Sequence, residues 1–319
     1  MSKYIARRLL LIIPTLIILT LLVFGLMRVL PGDVATRMLS DEAGALSIKN
    51  VSADALRAKM GLDRPLYLQY LNWLWDLARG DLGESLLTGK RVGDEIIQRL
   101  PVTFQIALMA QILSLVIGIP VGIISAVKQN SWMDLLLRFW SILFLAAPSF
   151  WLATLFILVA ALQFNWLPPM GYHSLLEDPK GNLLQLVWPS IILAHGGLAT
   201  IARMTRSTML EVMREDYIRT ARAKGLKEQV VIIRHALKNA LIPVVTLAGL
   251  SFAGLMGGTV ILEQIFAIPG MGSFFISAIR FRDYPIVQGT VIVFAVIFML
   301  VNLLIDLMYG WLDPRISYS

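Results

Sequence analysis

Catalysis and metal binding need a few side-chain types within short reach of one another, and this chain supplies few of them. It has three histidines and no cysteine. His173, His195 and His235 stand far apart, with no pair at metal-ligand spacing. A satisfied hydrogen bond is therefore the expected role of His195. The missing cysteines remove disulfides, thiolate metal sites, iron–sulfur clusters and cysteine nucleophiles together. The run from Gly83 to Arg91, GESLLTGKR, imitates a phosphate-binding loop. However, five residues separate its glycines, and Arg91 stands where a Ser or Thr hydroxyl must hold magnesium. Nucleotide hydrolysis by this chain alone is not expected. Asp306 lies inside an apolar run, where ionisable groups are expensive, but close enough to its end to snorkel or to pair with a base such as Arg203.

What remains is recognition rather than catalysis, and it concentrates between Glu215 and Pro243, a charged segment caught between two apolar runs. Glu215 and Asp216 suit the positive end of a helix dipole, Arg222 and Lys224 its last turn, and Gly225 its stop. Tyr217 and Ala221 fall on one face with Ile218 beside them, so a short amphipathic helix able to enter a groove on another protein is expected.

The elements that hold this segment in place are membrane spans. Hydrophobic residues make up 57% of the 319 and charged residues 15%, far from soluble composition. Runs long enough to span hydrocarbon occur near Leu9–Leu30, Val102–Val127, Leu136–Phe164, Leu183–Ala202, Ala240–Ile261 and Ile286–Trp311, six in all. Lys3, Arg7 and Arg8 front the first run, which is too long for a signal peptide and reads as a retained anchor. The net charge of +7 gathers in particular loops, above all between Arg203 and Lys238. That distribution points to orientation rather than to nucleic acid: the loop around Gly225 inside, and both termini cytoplasmic. Two short outer helices are expected before the second run, one from Ser52 to Gly61 and one with Pro65 as its first residue and Gly80 as its stop. The second would carry Tyr67, Tyr70, Leu74 and Ala78 on one face and pack on its own membrane domain.

The fifth run is rich in small residues, with Gly249, Ser251, Gly254, Gly257 and Gly258 close together. Such residues serve close helix packing or the wall of a corridor that needs room for cargo, and a gate can be both.

The run E-D-Y-I-R-T-A-R-A-K-G from Glu215 to Gly225 resembles the cytoplasmic EAA loop of bacterial binding-protein-dependent ABC importer permeases, in the dipeptide/oligopeptide/nickel branch. Against the broad motif E-A-A-x3-G-x9-I-x-L-P, Ala221, Gly225 and Leu237 match, while Arg219, Thr220, His235 and Lys238 depart. The likeness extends from Arg7-Arg8-Leu9 and Leu30-Pro31-Gly32-Asp33 to Trp311 and Arg315. It implies an all-α membrane protein with six transmembrane helices and the type I importer architecture. Residues 1–94 would form an N-terminal span and outer segment, 95–310 the permease core, and 311–319 a cytoplasmic tail. The resemblance implies a non-catalytic translocation subunit. It would pair with a second homologous permease and couple to two ATPase subunits that bind ATP and magnesium themselves, through Glu215, Asp216, Tyr217, Ile218, Arg219, Ala221, Arg222, Lys224 and Gly225. Cargo would come from an extracytoplasmic binding protein, which Glu263, Pro269 and Gly270 would face. No cofactor, metal or nucleic acid is expected on this chain.

Peptides are the expected cargo, because no imidazole or sulfur ladder marks a route for a bare metal; nickel or another small solute is the alternative. An ion-coupled secondary transporter would need intramembrane ionisable relays or broken half-helices, of which this sequence offers almost none.

Overall fold

The computed structural model describes the backbone of residues 2–29, 63–169 and 171–312 and the side chains of residues 10–29, 63–169 and 171–305. The expected outer helix from Ser52 to Gly61 and the side chain of Asp306 lie outside the described residues. Helices are α1 (Ser2–Val29), α2 (Leu66–Ala78), α3 (Val92–Val127), α4 (Trp132–Ala146), α5 (Ser149–Phe164), α6 (Pro179–Val212), α7 (Asp216–Ala223), α8 (Glu228–Ile265), α9 (Met271–Phe281) and α10 (Tyr284–Leu312). No strand occurs among the described residues, only an isolated bridge between Glu84 and Arg91.

Parts of α1, α3, α6, α8 and α10 are long and apolar enough to cross a bilayer. The third expected span, Leu136–Phe164, is not one straight rod: α4 and α5 meet at 98°, and the count reaches six when this bent pair is taken as one crossing. The cause is local. Pro148 has no N–H to give and disfavours the helical conformation at the residue before it, and Ala147 is extended, with ψ 123°. A ring nitrogen of His195 donates to the carbonyl of Ala147 at 2.8 Å, so this histidine satisfies a backbone group freed by the break. The expected boundary of the fourth run also moves. α6 begins at a real cap, Asp178 accepting from the Gly181 N–H with Pro179 in the first turn, and continues as far as Val212. Arg203 and Arg206 therefore belong to a helix rather than to a loop.

The chain forms two compact units. The first, residues 1–102 and 270–300, has a core of Met27, Val92, Ile96, Met271, Ala278, Tyr284, Ile286 and Val287. α2 lies on α1, with Tyr70 and Trp73 against Phe24 and the Tyr70 hydroxyl 3.0 Å from Thr20. The expected face is half right: Tyr70 and Leu74 turn inward with Trp73, but Tyr67 and Ala78 are exposed. The Gly83–Arg91 turn is clasped by buried Asp283, which accepts from the Ser85 hydroxyl at 2.5 Å and the Leu86 N–H at 3.2 Å. That structural duty suits a loop rejected as a phosphate site.

The second unit, residues 103–269 and 301–317, is built on α6. α3 comes up against it at Gly118 and Gly122: a Cβ at Gly122 would stand 2.5 Å from the Thr205 Cβ and 2.6 Å from the Ala202 carbonyl. Spacing of i, i+4 with no side chain on either residue lets the two backbones touch. α4 is tied to α6 by Asp134, fully buried, whose carboxylate takes a two-pronged bond from Arg206 at 2.9 Å on each oxygen.

Candidate functional site

Between α6 and α8 the chain leaves the apolar zone, and α7 sits in the gap. Its start and stop follow the sequence. Glu215 is the extended N-cap, Asp216 occupies the first turn, and Gly225 adopts φ +75° beyond the C-cap Lys224. The Leu226 N–H reaches the Ala221 carbonyl at 3.4 Å and the Gly225 N–H the Arg222 carbonyl at 2.9 Å. This is the paired closure that a left-handed residue after a helix allows.

Burial sorts the helix into two faces. Ile218 is fully buried and Ala221 nearly so, packed with Met209, Val231, Ala236 and Ala240. The expected contact face therefore needs correcting: Tyr217 and Ala221 do not point the same way. Ala221 is buried in its own subunit and Ile218 replaces Tyr217 beside it, while Tyr217 is exposed and its hydroxyl accepts from the Asn239 side-chain amide at 2.8 Å. Full burial of Ile218 is worth about 1.5–3 kcal/mol, enough to seat a helix of two turns. The exposed residues are Asp216, Tyr217, Arg219, Thr220, Arg222, Ala223 and Lys224, a face with more base than acid. Arg222 forks onto Glu228 at 3.1 and 2.7 Å, which ties α7 to the start of α8. The carboxylate of Glu228 raises the already high pKa of Arg222, against a smaller opposing effect of burial.

α8 itself opens with a π-helical stretch, Val231–Ala236, that carries Arg234 and His235. Wide turns of this kind leave the regular hydrogen-bond ladder and recur at functional positions. Nothing in the side-chain periodicity forecast it. Further along, the small residues divide. Gly249 and Gly258 are packing positions, since an added Cβ would come 2.6 Å from Ile305 and 3.1 Å from Leu193. Ser251 bonds back to the Leu247 carbonyl of its own helix at 2.7 Å. Gly254 and Gly257 meet no atom within 4 Å, and lie on an open face with exposed Leu250 and Ile261.

Of the residues expected to face a binding protein, Glu263 does not: it is fully buried and accepts from the Thr103 hydroxyl at 2.7 Å. The resemblance of the run from Glu263 to Gly272 implies an outward face for it, whereas the structure pairs it with Thr103, 160 residues away. Gly270 is buried as the N-cap of α9, and Pro269 is half-buried. Among the described residues no three His, Asp or Glu side chains gather as a metal site.

A multi-pass helical membrane protein with a seated, basic-faced helix between two of its spans has the parts of a transport component. Comparison with known proteins agrees. Residues 118–318 match the binding-protein-dependent transport system inner membrane component family, and residues 1–107 match the N-terminal family of the same membrane components. The chain belongs to this family of multi-pass bacterial inner-membrane transport subunits, whose transport systems work with a solute-binding protein and ATPases. It is similar along the full length of both chains to a putative peptide transport system permease protein of Brucella suis at 41% identity. Coverage is also complete for the dipeptide transport system permease protein of Alkalihalophilus pseudofirmus, at 42%, and the oligopeptide transport system permease protein of Bacillus subtilis, at 39%.

Proposed function

We propose that this chain is one of two permease subunits of an ATP-driven importer for short peptides or peptide-like solutes. The observation that carries the reading is α7: a helix held from below by Ile218 and Ala221, with a basic face turned outward. α7 is the lever on which two ATPase subunits act, one on this chain and one on the homologous permease. ATP and magnesium are bound by those ATPases, and this chain binds no cofactor and carries out no bond chemistry. When the ATPases close, movement of α7 passes through its seat to α6 and, through the Arg222–Glu228 fork, to α8. Alternating access follows if the ATP-bound and free states differ in these contacts. The open face of α8 at Gly254 and Gly257 lines the route.

Peptide cargo is supported by full-length likeness to proteins named for dipeptide and oligopeptide transport. In vesicles holding this chain with its partner permease and ATPases, dipeptide-loaded binding protein is expected to raise ATP hydrolysis and to drive dipeptide accumulation. Nickel ion should do neither; stimulation by nickel without stimulation by a peptide panel would reassign the cargo.

The proposed orientation places α7 and both termini in the cytoplasm. The natural absence of cysteine makes it directly measurable. Leu176, 93% exposed in the loop before α6, and exposed Lys227 lie on opposite sides in this arrangement. An impermeant thiol reagent added outside is expected to label Leu176→Cys and to spare Lys227→Cys until the membrane is opened. Labelling of Lys227→Cys in sealed cells would reverse the orientation and detach α7 from any cytoplasmic ATPase.

A further inference from the structure

A cavity of about 290 Å³ opens where α3, α4 and α6 meet, with no residue of α7 or α8 in its lining. It is roughly ten water volumes at about 30 Å³ each. Three arginines line it, Arg138, Arg203 and Arg206. Among the described residues they stand against a single carboxylate, that of Asp134, which is already saturated: it takes two bonds from Arg206, one from the Ser125 hydroxyl and one from the Asn130 N–H. Arg138 reaches Asp134 only as an ion pair at 3.5 Å, and its buried Nε has no hydrogen-bond acceptor. Arg203 has no acidic partner among the described residues. The cavity therefore carries a net positive charge and donors without acceptors, inside a unit built for hydrocarbon.

The other half of its lining is apolar. Ile142 and Leu145 bound it from α4, and both are exposed at its rim, as a wall for a hydrocarbon chain would be. Trp132 and Trp140 on the same helix are also exposed, Trp132 by 80%. Exposed tryptophans mark the headgroup level of a bilayer. Basic side chains at headgroup depth, facing an apolar wall, match one kind of molecule in both halves: a phosphate ester joined to acyl chains.

We propose that this cavity is a binding site for an anionic phospholipid, with the phosphate held by Arg203 and Arg138 and one acyl chain along Ile142 and Leu145. Arg206 serves differently. Its fork onto Asp134 fixes α4 against α6 and so builds the pocket. The site does not depend on the identity of the cargo or on the orientation of the chain, since it is defined by headgroup depth alone. A soluble anion would satisfy the arginines but leave the apolar wall bare, and a neutral lipid would do the reverse.

The test uses the full chain purified in a neutral detergent, with bound lipid counted by native mass spectrometry. Phosphatidylglycerol is expected to be retained at more than tenfold lower concentration than phosphatidylcholine. Arg203→Ala should weaken phosphatidylglycerol retention about fivefold, the effect of one basic side chain near a lipid surface, and adding Arg138→Ala should remove the preference. Because Arg203 makes no ion pair among the described residues, its loss leaves the Asp134–Arg206 fork intact, so unchanged thermal stability of Arg203→Ala is expected alongside the weakened retention. The control Arg219→Ala, on the exposed face of α7, should leave the lipid preference of the purified chain unchanged. The proposal is overturned by equal retention of the two lipids, by an unchanged preference in Arg203→Ala, or by an equal loss in Arg219→Ala, which would indicate diffuse surface charge. It is also overturned if glycerol 3-phosphate displaces the lipid as well as phosphatidylglycerol itself does, because the site would then belong to a soluble anion.

Discussion

Replacing Ile218 with aspartate is expected to stop uptake almost completely while leaving the chain in the membrane. The side chain is fully buried among Met209, Val231 and Ala236, and no base faces it there. An unpaired carboxylate in such a place costs several kcal/mol, more than the roughly 1.5–3 kcal/mol that seating the isoleucine contributes. The two-turn helix would lift from its seat, or the acid would stay protonated at a similar cost. The long helices around it keep their own apolar surfaces, so insertion and abundance should stay near wild type. Uptake should fall by at least a hundredfold, with Ile218→Val close to wild type. A second substitution separates seating from docking. Reversing charge on the exposed face with Arg219→Glu and Lys224→Glu leaves Ile218 and Ala221 in place, so protection of α7 from proteolysis should persist while co-purification of the ATPases is lost. If Ile218→Asp transports normally, α7 is not the mechanical link. If the charge-reversed chain still holds its ATPases, the contact lies on another surface.

The limits of α7 were legible in the sequence because capping is local: Asp216 and Gly225 act on backbone groups within a few residues, and the rule that places them needs no tertiary information. Which face of α7 turns inward was less legible. Eight residues with Tyr217, Ile218 and Ala221 all apolar admit two inward faces, and the choice is made by Met209 and Val231 on neighbouring elements. Long-range pairs were not legible. The Asp134–Arg206 fork joins residues 72 apart, and Thr103 hides Glu263 across 160; neither leaves a periodic trace. Pro148 did carry its signal as a helix breaker, but the apolar run on both sides of it is continuous, so length alone suggested one straight span where the chain bends by 98°.

Small residues were legible as a class and misleading as a list, and separating their two roles gives a prediction. Density drew attention to the stretch from Gly249 to Gly258, yet a backbone-close helix contact in the second unit is made by Gly118 and Gly122, spaced i, i+4 on α3. At Gly122 the neighbour includes the Ala202 backbone carbonyl at 2.6 Å, which cannot move aside as a side chain can. Gly122→Leu therefore forces α3 and α6 apart and breaks their packing, a cost above the usual 1–3 kcal/mol of overpacking. The expected result is a chain that reaches the membrane at a small fraction of the normal level, with the remainder less heat-stable. Gly257→Leu should behave in the opposite way. Nothing lies within 4 Å of its added Cβ, and replacing glycine in a helix gains up to about 1 kcal/mol in intrinsic propensity, so abundance and thermal stability should equal or exceed wild type. If the open face of α8 lines the route, the added side chain narrows it, and peptide uptake should drop at least tenfold while ATP hydrolysis by the assembled importer continues. Normal uptake by Gly257→Leu at normal abundance would show that this face lies against lipid or another subunit, and would move the route elsewhere without disturbing the assignment of α7.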